Sequence, residues 1–218
     1  MLEKKGLYDP QFEHDACGVG VVANIKGIKS RDIVVKGLEV LNNLRHRGAA
    51  GSDPDTGDGA GILIQMPHEF MRAKAAELGI QLPGFMDYGV GVFFLPRNPA
   101  ARMRATELID RTVREEGQEV LGWRDVPRDN SAIGVGARSV EPHIAHLFIG
   151  RASEVADEAA FERKLYVIRK LIESEGLEAG FTPADVYIPS LSCNKIVYKG
   201  LLHAPQIQQY YLDFADES

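Results

Sequence analysis

Cys17 stands between sixteen polar residues, 1–16, and an apolar run, 17–24 (CGVGVVAN), and the Ala16-Cys17 junction gives its thiol two readings. As a buried free cysteine it is a small apolar side chain in a strand, the commoner fate of the residue. As the first residue left after removal of the leader, it carries a nucleophile and a base together. An α-amino group titrates near about 7.7 and a thiol near about 8.5, so at neutral pH the amine can take up the thiol proton through a water. Before cleavage the Cys17 nitrogen is an amide and no base.

Thirty residues on, Arg47 sits in the run RHRGA, 45–49. A planar guanidinium can grip a carboxylate with two parallel hydrogen bonds and so orient a small amino-acid substrate. Its other reading is a solvated cation at a helix end, bonding carbonyls near Leu44. His46 reads as a local hydrogen-bonding or core histidine. The run 53–61 (DPDTGDGAG) carries Asp53, Asp55 and Asp58. A calcium loop would need a ligand where Gly57 stands and a glutamate where Ile64 stands. The run is therefore read as a glycine-rich loop that lets backbones approach closely, with Asp58 bonding backbone amides. Gly18, Gly20 and Ala23 match the spacing GxGxxA, but a dinucleotide fingerprint follows a strand and opens a helix, whereas this run opens a strand. His143 and His146, three apart on one strand, face opposite sides, which opposes shared metal ligation. Cys193 falls at a turn with no base near it in sequence and is read as incidental.

The elements that would place these residues follow from periodicity and punctuation. Strands are expected at 17–24, 59–67, 87–95, 118–126 and 143–149, and helices at 30–44 with Ser30 as N-cap, 68–78, 100–116 after Pro99, and 157–175, stopped by Gly176. A hairpin, 186–191 and 195–198, turns at Ser192, Cys193 and Asn194 and precedes a short helix; Pro189 argues for an edge or a bulge there. Paired strands separated by long helices point to an α+β class with sheet-on-sheet packing possible. With 44% hydrophobic and 26% charged residues, the chain can bury a core. Its net charge of −6 and scattered basic residues give no patch for nucleic acid or anionic membrane. The two cysteines form neither a zinc pattern nor a disulfide framework, which fits a reducing cytoplasm. The leader lacks an apolar stretch, so it is no secretory signal, and no window reaches the roughly 20 apolar residues of a membrane span.

Taken in order, CGVG at 17–20, RHRGA at 45–49, TGDGAG at 56–61, SLS at 190–192 and IVYKG at 196–200 resemble the amino-terminal glutaminase domain of the glutamate synthase large subunit. That is a class II glutamine amidotransferase domain of the N-terminal-nucleophile hydrolase type. The resemblance implies a four-layer αββα sandwich and a leader, 1–16, followed by an amidotransferase domain, 17–218. It also implies hydrolysis of L-glutamine to L-glutamate and ammonia through a cysteinyl thioester, for ammonia assimilation into glutamate. Cys17 matches the family's nucleophile and Arg47 the arginine that holds the substrate α-carboxylate. FMN and an iron-sulfur cluster are implied for later domains and no cofactor or metal for this segment. A downstream synthase domain and a small electron-donating subunit are the implied partners.

The chain departs from the family pattern after residue 218, where an RFSTNT-like and an HNGE-like stretch would follow, and it contains no Asn-Gly dipeptide. In the family that pair forms the oxyanion hole, and losing one such donor typically costs about 10²–10³ in rate. The fold is thus expected to be incomplete at its C-terminal end and the segment alone inactive. Two rivals stand beside this reading. One is another class II amidotransferase that delivers ammonia to a sugar phosphate or an aspartyl adenylate, against which GDGAG and YKG speak; the other is a non-catalytic truncated module in which Cys17 is merely buried.

Overall fold

The computed structural model describes residues 17–50 and 52–216; the expected leader, 1–16, lies outside them. Among the described residues six strands form two antiparallel sheets. The larger runs β3 (Glu119–Asp125), β4 (His143–Gly150), β2 (Tyr88–Leu95), β5 (Tyr187–Ser192), and the smaller pairs β1 (Ala60–Gln65) with β6 (Lys195–Gly200). The tight turn between β5 and β6 carries the chain from one sheet to the other.

The two central strands of the larger sheet are buried on both faces, which is why they read as nearly continuous apolar runs. One face, with Phe93, Leu95, Ala145, Leu147 and Ile149, packs on α3 (Pro99–Glu115) and α5 (Glu158–Glu178). The other, with Tyr88, Val90, Val92, Ile144 and Phe148, meets a second core shared with Ile196 and Tyr198 of β6, Leu38 of α1 (Arg31–Asn43) and Phe70 and Met71 of α2 (His68–Ala76). This is the α+β arrangement of antiparallel sheets and helical layers that the paired strands imply. Two short helices, α4 (Val135–Ser139) and α6 (Gln206–Tyr210), complete the secondary structure of the described residues, with single turns of tighter helix at Leu44–Arg47, Asn130–Ala132 and Leu212–Ala215.

Three expectations meet the structure in instructive ways. Pro189 does sit on an edge strand, and the pairing of β2 with β5 shifts register between Val92 and Phe94, opposite that proline. The long α5 does not stop at Gly176. It continues to Glu178 and ends in a Schellman motif at Gly180, φ +87°, where the Phe181 amide bonds the Gly176 carbonyl at 2.9 Å and the Gly180 amide bonds that of Leu177 at 3.0 Å. The expected strand at 17–24 is absent: the segment pairs with no strand among the described residues, and Val19 and Val21 are 86% and 85% exposed.

The two sheets are joined by one buried carboxylate. Asp213 takes two hydrogen bonds from Arg124 of β3, at 2.9 and 2.6 Å, and a third from the Tyr198 hydroxyl of β6 at 2.9 Å. Both side chains of the ion pair are nearly closed to solvent, at 7% and 4% exposure. Burial works against the charge on Arg124, but hydrogen bonds and the charge of Asp213 hold its pKa above the ordinary value. His146 lies beside the pair, Nδ1 3.4 Å from Arg124, and burial pushes its pKa down to about 3, so it is neutral at any physiological pH.

Removing one partner of a buried pair strands the other charge, so Asp213→Ala should lower the stability of the 218-residue chain by about 3–5 kcal/mol. The double variant Arg124→Met, Asp213→Leu should recover most of that loss. Urea unfolding followed by circular dichroism checks both, and a loss under about 1 kcal/mol in the single variant would mean that water reaches the pair.

Candidate active site

The segment that begins at Cys17 lies directly on the end of α1. A Cβ placed on Gly18 would stand 3.1 Å from Leu44 Cδ2 and 3.2 Å from Arg47 Cγ; one on Gly20 would stand 2.2 Å from Val40 Cγ1. Glycine at alternate positions is therefore what lets the backbone after Cys17 approach the helix, while Val19 and Val21 point away. This alternation is strand-like, and it explains why apolar content alone suggested a buried strand. Its inner face is made of two glycines instead of two valines.

Cys17 itself is an exposed free thiol. Arg47 closes the single turn Leu44–Arg47 that extends α1, and its aliphatic stem is what Gly18 touches. Its guanidinium is exposed and, among the described residues, has neither an ion-pair partner nor a carbonyl to bond. The reading of Arg47 as a cation bonding carbonyls at a helix end is thus not what the structure shows. The residue next to the nucleophile candidate, Gly18, is thus brought against the stem of the carboxylate-holding candidate, twenty-nine residues on in sequence. His46 is as local as expected: its Nδ1 is 3.0 Å from the Asn43 carbonyl.

The glycine-rich loop lies next to this pair. The Asp58 amide donates to the Ala49 carbonyl at 3.0 Å and Ala50 forms an antiparallel bridge with Gly57, so the chain just after Arg47 is laddered onto the loop. Gly57 is pressed against the chain at Leu202 and His203, where a Cβ would come within 2.3 Å of backbone. The carboxylate that bonds backbone amides here is Asp53, where the sequence pointed to Asp58. It accepts from the amides of Gly136 at 2.7 Å and Asp55 at 3.1 Å, and from the Thr56 hydroxyl at 2.7 Å. The Gly136 amide foremost, then Thr56, holds the Asp53 carboxyl below the usual carboxylate range. Nothing in the sequence links 53–56 with 134–137, which are about eighty residues apart.

The remaining candidates stand apart from the site. Cys193 is buried at the β5–β6 turn, and burial, with Glu162 next in effect, pushes its thiol up to about 12. Glu162 of α5 accepts from the Cys193 amide at 2.7 Å and the Ser192 hydroxyl at 2.6 Å, which makes that turn a structural anchor. His143 and His146 do point to opposite faces of β4, one to Asp125 and the other into the core beside Arg124. Among the described residues no group of three or more His, Cys, Asp or Glu is placed to hold a metal ion, and no helix is long and apolar enough to cross a membrane.

The family described as glutamine amidotransferases class-II matches residues 17–218, beginning at Cys17. The chain is similar to the NADPH glutamate synthase large chain of Bacillus subtilis, 46% identical over 218 residues, all of this chain and 14% of that protein. It is similar to the corresponding large chain of Azospirillum brasilense, 40% identical over 217 residues, 99% of this chain and 14% of that one. It is also 35% identical over 201 residues to ferredoxin-dependent glutamate synthase 2 of Synechocystis, 92% of this chain and 12% of that one. The chain thus spans about one-seventh of the length of the first two of these relatives.

The two cysteines differ in access, and only one is presented as a nucleophile. Iodoacetamide on the native chain should alkylate Cys17 at least about tenfold faster than Cys193, because a reagent needs both access and thiolate. Peptide mass spectrometry at a series of times reads the two sites separately. Comparable rates would mean that the β5–β6 turn opens freely.

Proposed function

The chain belongs to the class II glutamine amidotransferases, and from that membership we propose that residues 17–218 are the glutaminase part of a glutamate synthase, which hydrolyses L-glutamine and supplies the ammonia for glutamate synthesis. The observation that carries the reading is the seating of the Cys17 segment on Arg47, made possible by Gly18 and Gly20.

The steps follow from the residue types. Removal of 1–16 frees the α-amino group of Cys17, which takes the thiol proton through a water. Arg47 holds the substrate α-carboxylate with its two-pronged fork and points the side-chain amide toward the thiolate. The sulfur attacks the amide carbon, the carbon–nitrogen bond breaks as the nitrogen receives the proton, and ammonia leaves a thioester on Cys17. Water then attacks the thioester, giving L-glutamate and the thiol. The start of the family match at residue 17 supports the leader boundary. The chain has no Asn-Gly pair, so the proposal assigns the oxyanion donors to a part of the whole protein that it does not span.

For the whole protein we propose that ammonia passes to a synthase domain that acts on 2-oxoglutarate, in the cytoplasm. An iron-sulfur cluster takes about four cysteine thiolates, and two cysteines, one exposed and one buried, do not fit it. The cluster is therefore assigned to the synthase part, together with the FMN that the family likeness implies. Relatives named for NADPH and for ferredoxin match the same segment, which supports placing the choice of electron donor, and any small electron-donating subunit, outside residues 17–218.

In full-length protein from its native host, the mass should show Cys17 as first residue, and Cys17→Ala should abolish glutamine-dependent synthesis while sparing synthesis from free ammonia. Loss of both activities would reject a catalytic role confined to the glutaminase site. Arg47→Lys keeps the charge but loses the fork. Glutamine kcat/KM should fall by at least about tenfold, with little change in the rate of Cys17 labelling by iodoacetamide; a parallel fall in labelling would mean that Arg47 shapes the thiol instead of holding the carboxylate.

A further inference from the structure

Lys199, in the run IVYKG, takes no part in the steps proposed above, and it lines a cavity of about 240 Å³. The cavity opens where the end of β2 and the starts of β4 and β5 meet the end of β6. Phe94, Ile133, Ile144, Leu202 and Tyr211 make its walls apolar, and neither Cys17 nor Arg47 lines it. Those walls are held from outside. A polar clamp ties 134–137 to the glycine-rich loop: the Gly134 amide donates to the Asp55 carbonyl at 3.0 Å, the Gly136 amide to Asp53 at 2.7 Å and the Ala137 amide to the Thr56 hydroxyl at 3.0 Å. At β6 the Tyr211 hydroxyl donates to the Lys199 carbonyl at 2.7 Å. A cavity fixed in this way exists before any ligand arrives, as small-molecule sites usually do.

Two charged residues line this space, and they differ. Glu141 is already satisfied: its carboxylate accepts from Arg128 Nε at 2.7 Å, the Tyr210 hydroxyl at 2.8 Å and the Asn130 side chain at 3.1 Å, so Arg128 offsets its charge. Lys199 has no such counter-charge. Its ammonium donates to the Tyr187 hydroxyl at 2.9 Å, and among the described residues no carboxylate pairs with it, which leaves two of its three donors open. An apolar cavity of about 150 Å³ takes up benzene, so one of about 240 Å³ has room for a six-membered ring and a short tether. We propose that this cavity is a binding site for a small apolar monocarboxylate, with the ring or branched chain between the apolar walls and the carboxylate on the Lys199 ammonium. A dicarboxylate is disfavoured, because its second charge would be stranded against apolar walls. The side-chain amide of glutamine meets the same obstacle.

The test uses the full-length enzyme, with 3-phenylpropionate as the probe and saturation-transfer NMR titration as the measure of binding. The probe should bind saturably, and 3-phenylpropionamide at least about tenfold more weakly, because only the anion makes charge-assisted bonds to the ammonium. Neither L-glutamine nor 2-oxoglutarate should displace it. Lys199→Met keeps most of the side chain's length and loses its charge, so it should weaken 3-phenylpropionate at least about tenfold and leave the amide within about twofold. Ala137→Leu narrows the cavity and should weaken both; if that variant does not fold, Lys199→Met still decides the matter. No saturable binding, equal affinity for acid and amide, or an unchanged affinity in Lys199→Met would overturn the proposal. Displacement by L-glutamine would put the probe in the substrate site and overturn this proposal while leaving the glutaminase reading intact. Binding to the 218-residue chain and not to the full-length enzyme would mean that another part of the protein covers the cavity, which overturns it as well.

Discussion

Asp213 is the group on which the stacking of this domain turns. One carboxylate receives Arg124 from the four-stranded sheet and Tyr198 from the two-stranded sheet, in an interior where an unpaired charge would be intolerable. The two sheets share no strand, so their relative placement relies on the β5–β6 turn and on what fills the space between them. Apolar side chains fill that space without direction. The carboxylate supplies direction, because three donors must converge on two oxygens. The same short turn of chain is also tied to the front of α1, where Arg31 donates to the carbonyls of Phe214 and Asp216. Since α1 carries Val40, Leu44 and, just beyond, Arg47, the register of the Cys17 segment is linked back to the inter-sheet pair through one helix.

Much of this was readable beforehand, and the boundary between what was and was not is physical. Strands β2 and β4 announce themselves because burial on both faces forces unbroken apolar runs. Proline at 189 correctly marked an edge and a register shift, since it lacks the donor a ladder needs. The helix end was placed one glycine too early. Both Gly176 and Gly180 could stop α5, and what selects the second is Phe181, an apolar residue able to dock in the core just past the left-handed cap. An apolar residue follows each glycine, Leu177 and Phe181, so the sequence alone does not choose between them; the choice is made by packing, which buries Phe181 and leaves Leu177 exposed.

The site shows a different limit. Cys17 and Arg47 were named from residue types and from likeness to a family, and the structure brings their neighbourhoods together. The local form of the Cys17 segment was misjudged, because alternation of glycine with valine carries the period of a strand while reversing which face is inward. The clamp by Asp53 and Thr56 could not have been found at all from sequence. Asx and hydroxyl side chains near glycines bond local backbone so often that a local partner is the default expectation, and here the decisive partners are amides about eighty residues away.

These features separate two demands on the glutaminase site. The thiol must be reachable, and Cys17 is exposed at the start of a segment that meets α1 through Gly18 and Gly20. In the proposed scheme the carboxylate-holding group must instead be fixed, and a long flexible cation is the least fixed of side chains. Rigidity has to come from the backbone beneath it, since holding Arg47 by further side-chain bonds would consume the donors meant for substrate. A glycine-rich loop answers that demand: with no side chains in the way it can pack backbone to backbone, against Leu202 and His203 on one side and Ala49 and Ala50 on the other. The cost is a loop that would be floppy alone, and that is offset by the polar bonds that Asp53 and Thr56 make outside it. Polar residues in such a loop are therefore best weighed by the mobility they remove from the loop itself, before any direct contact with substrate is sought.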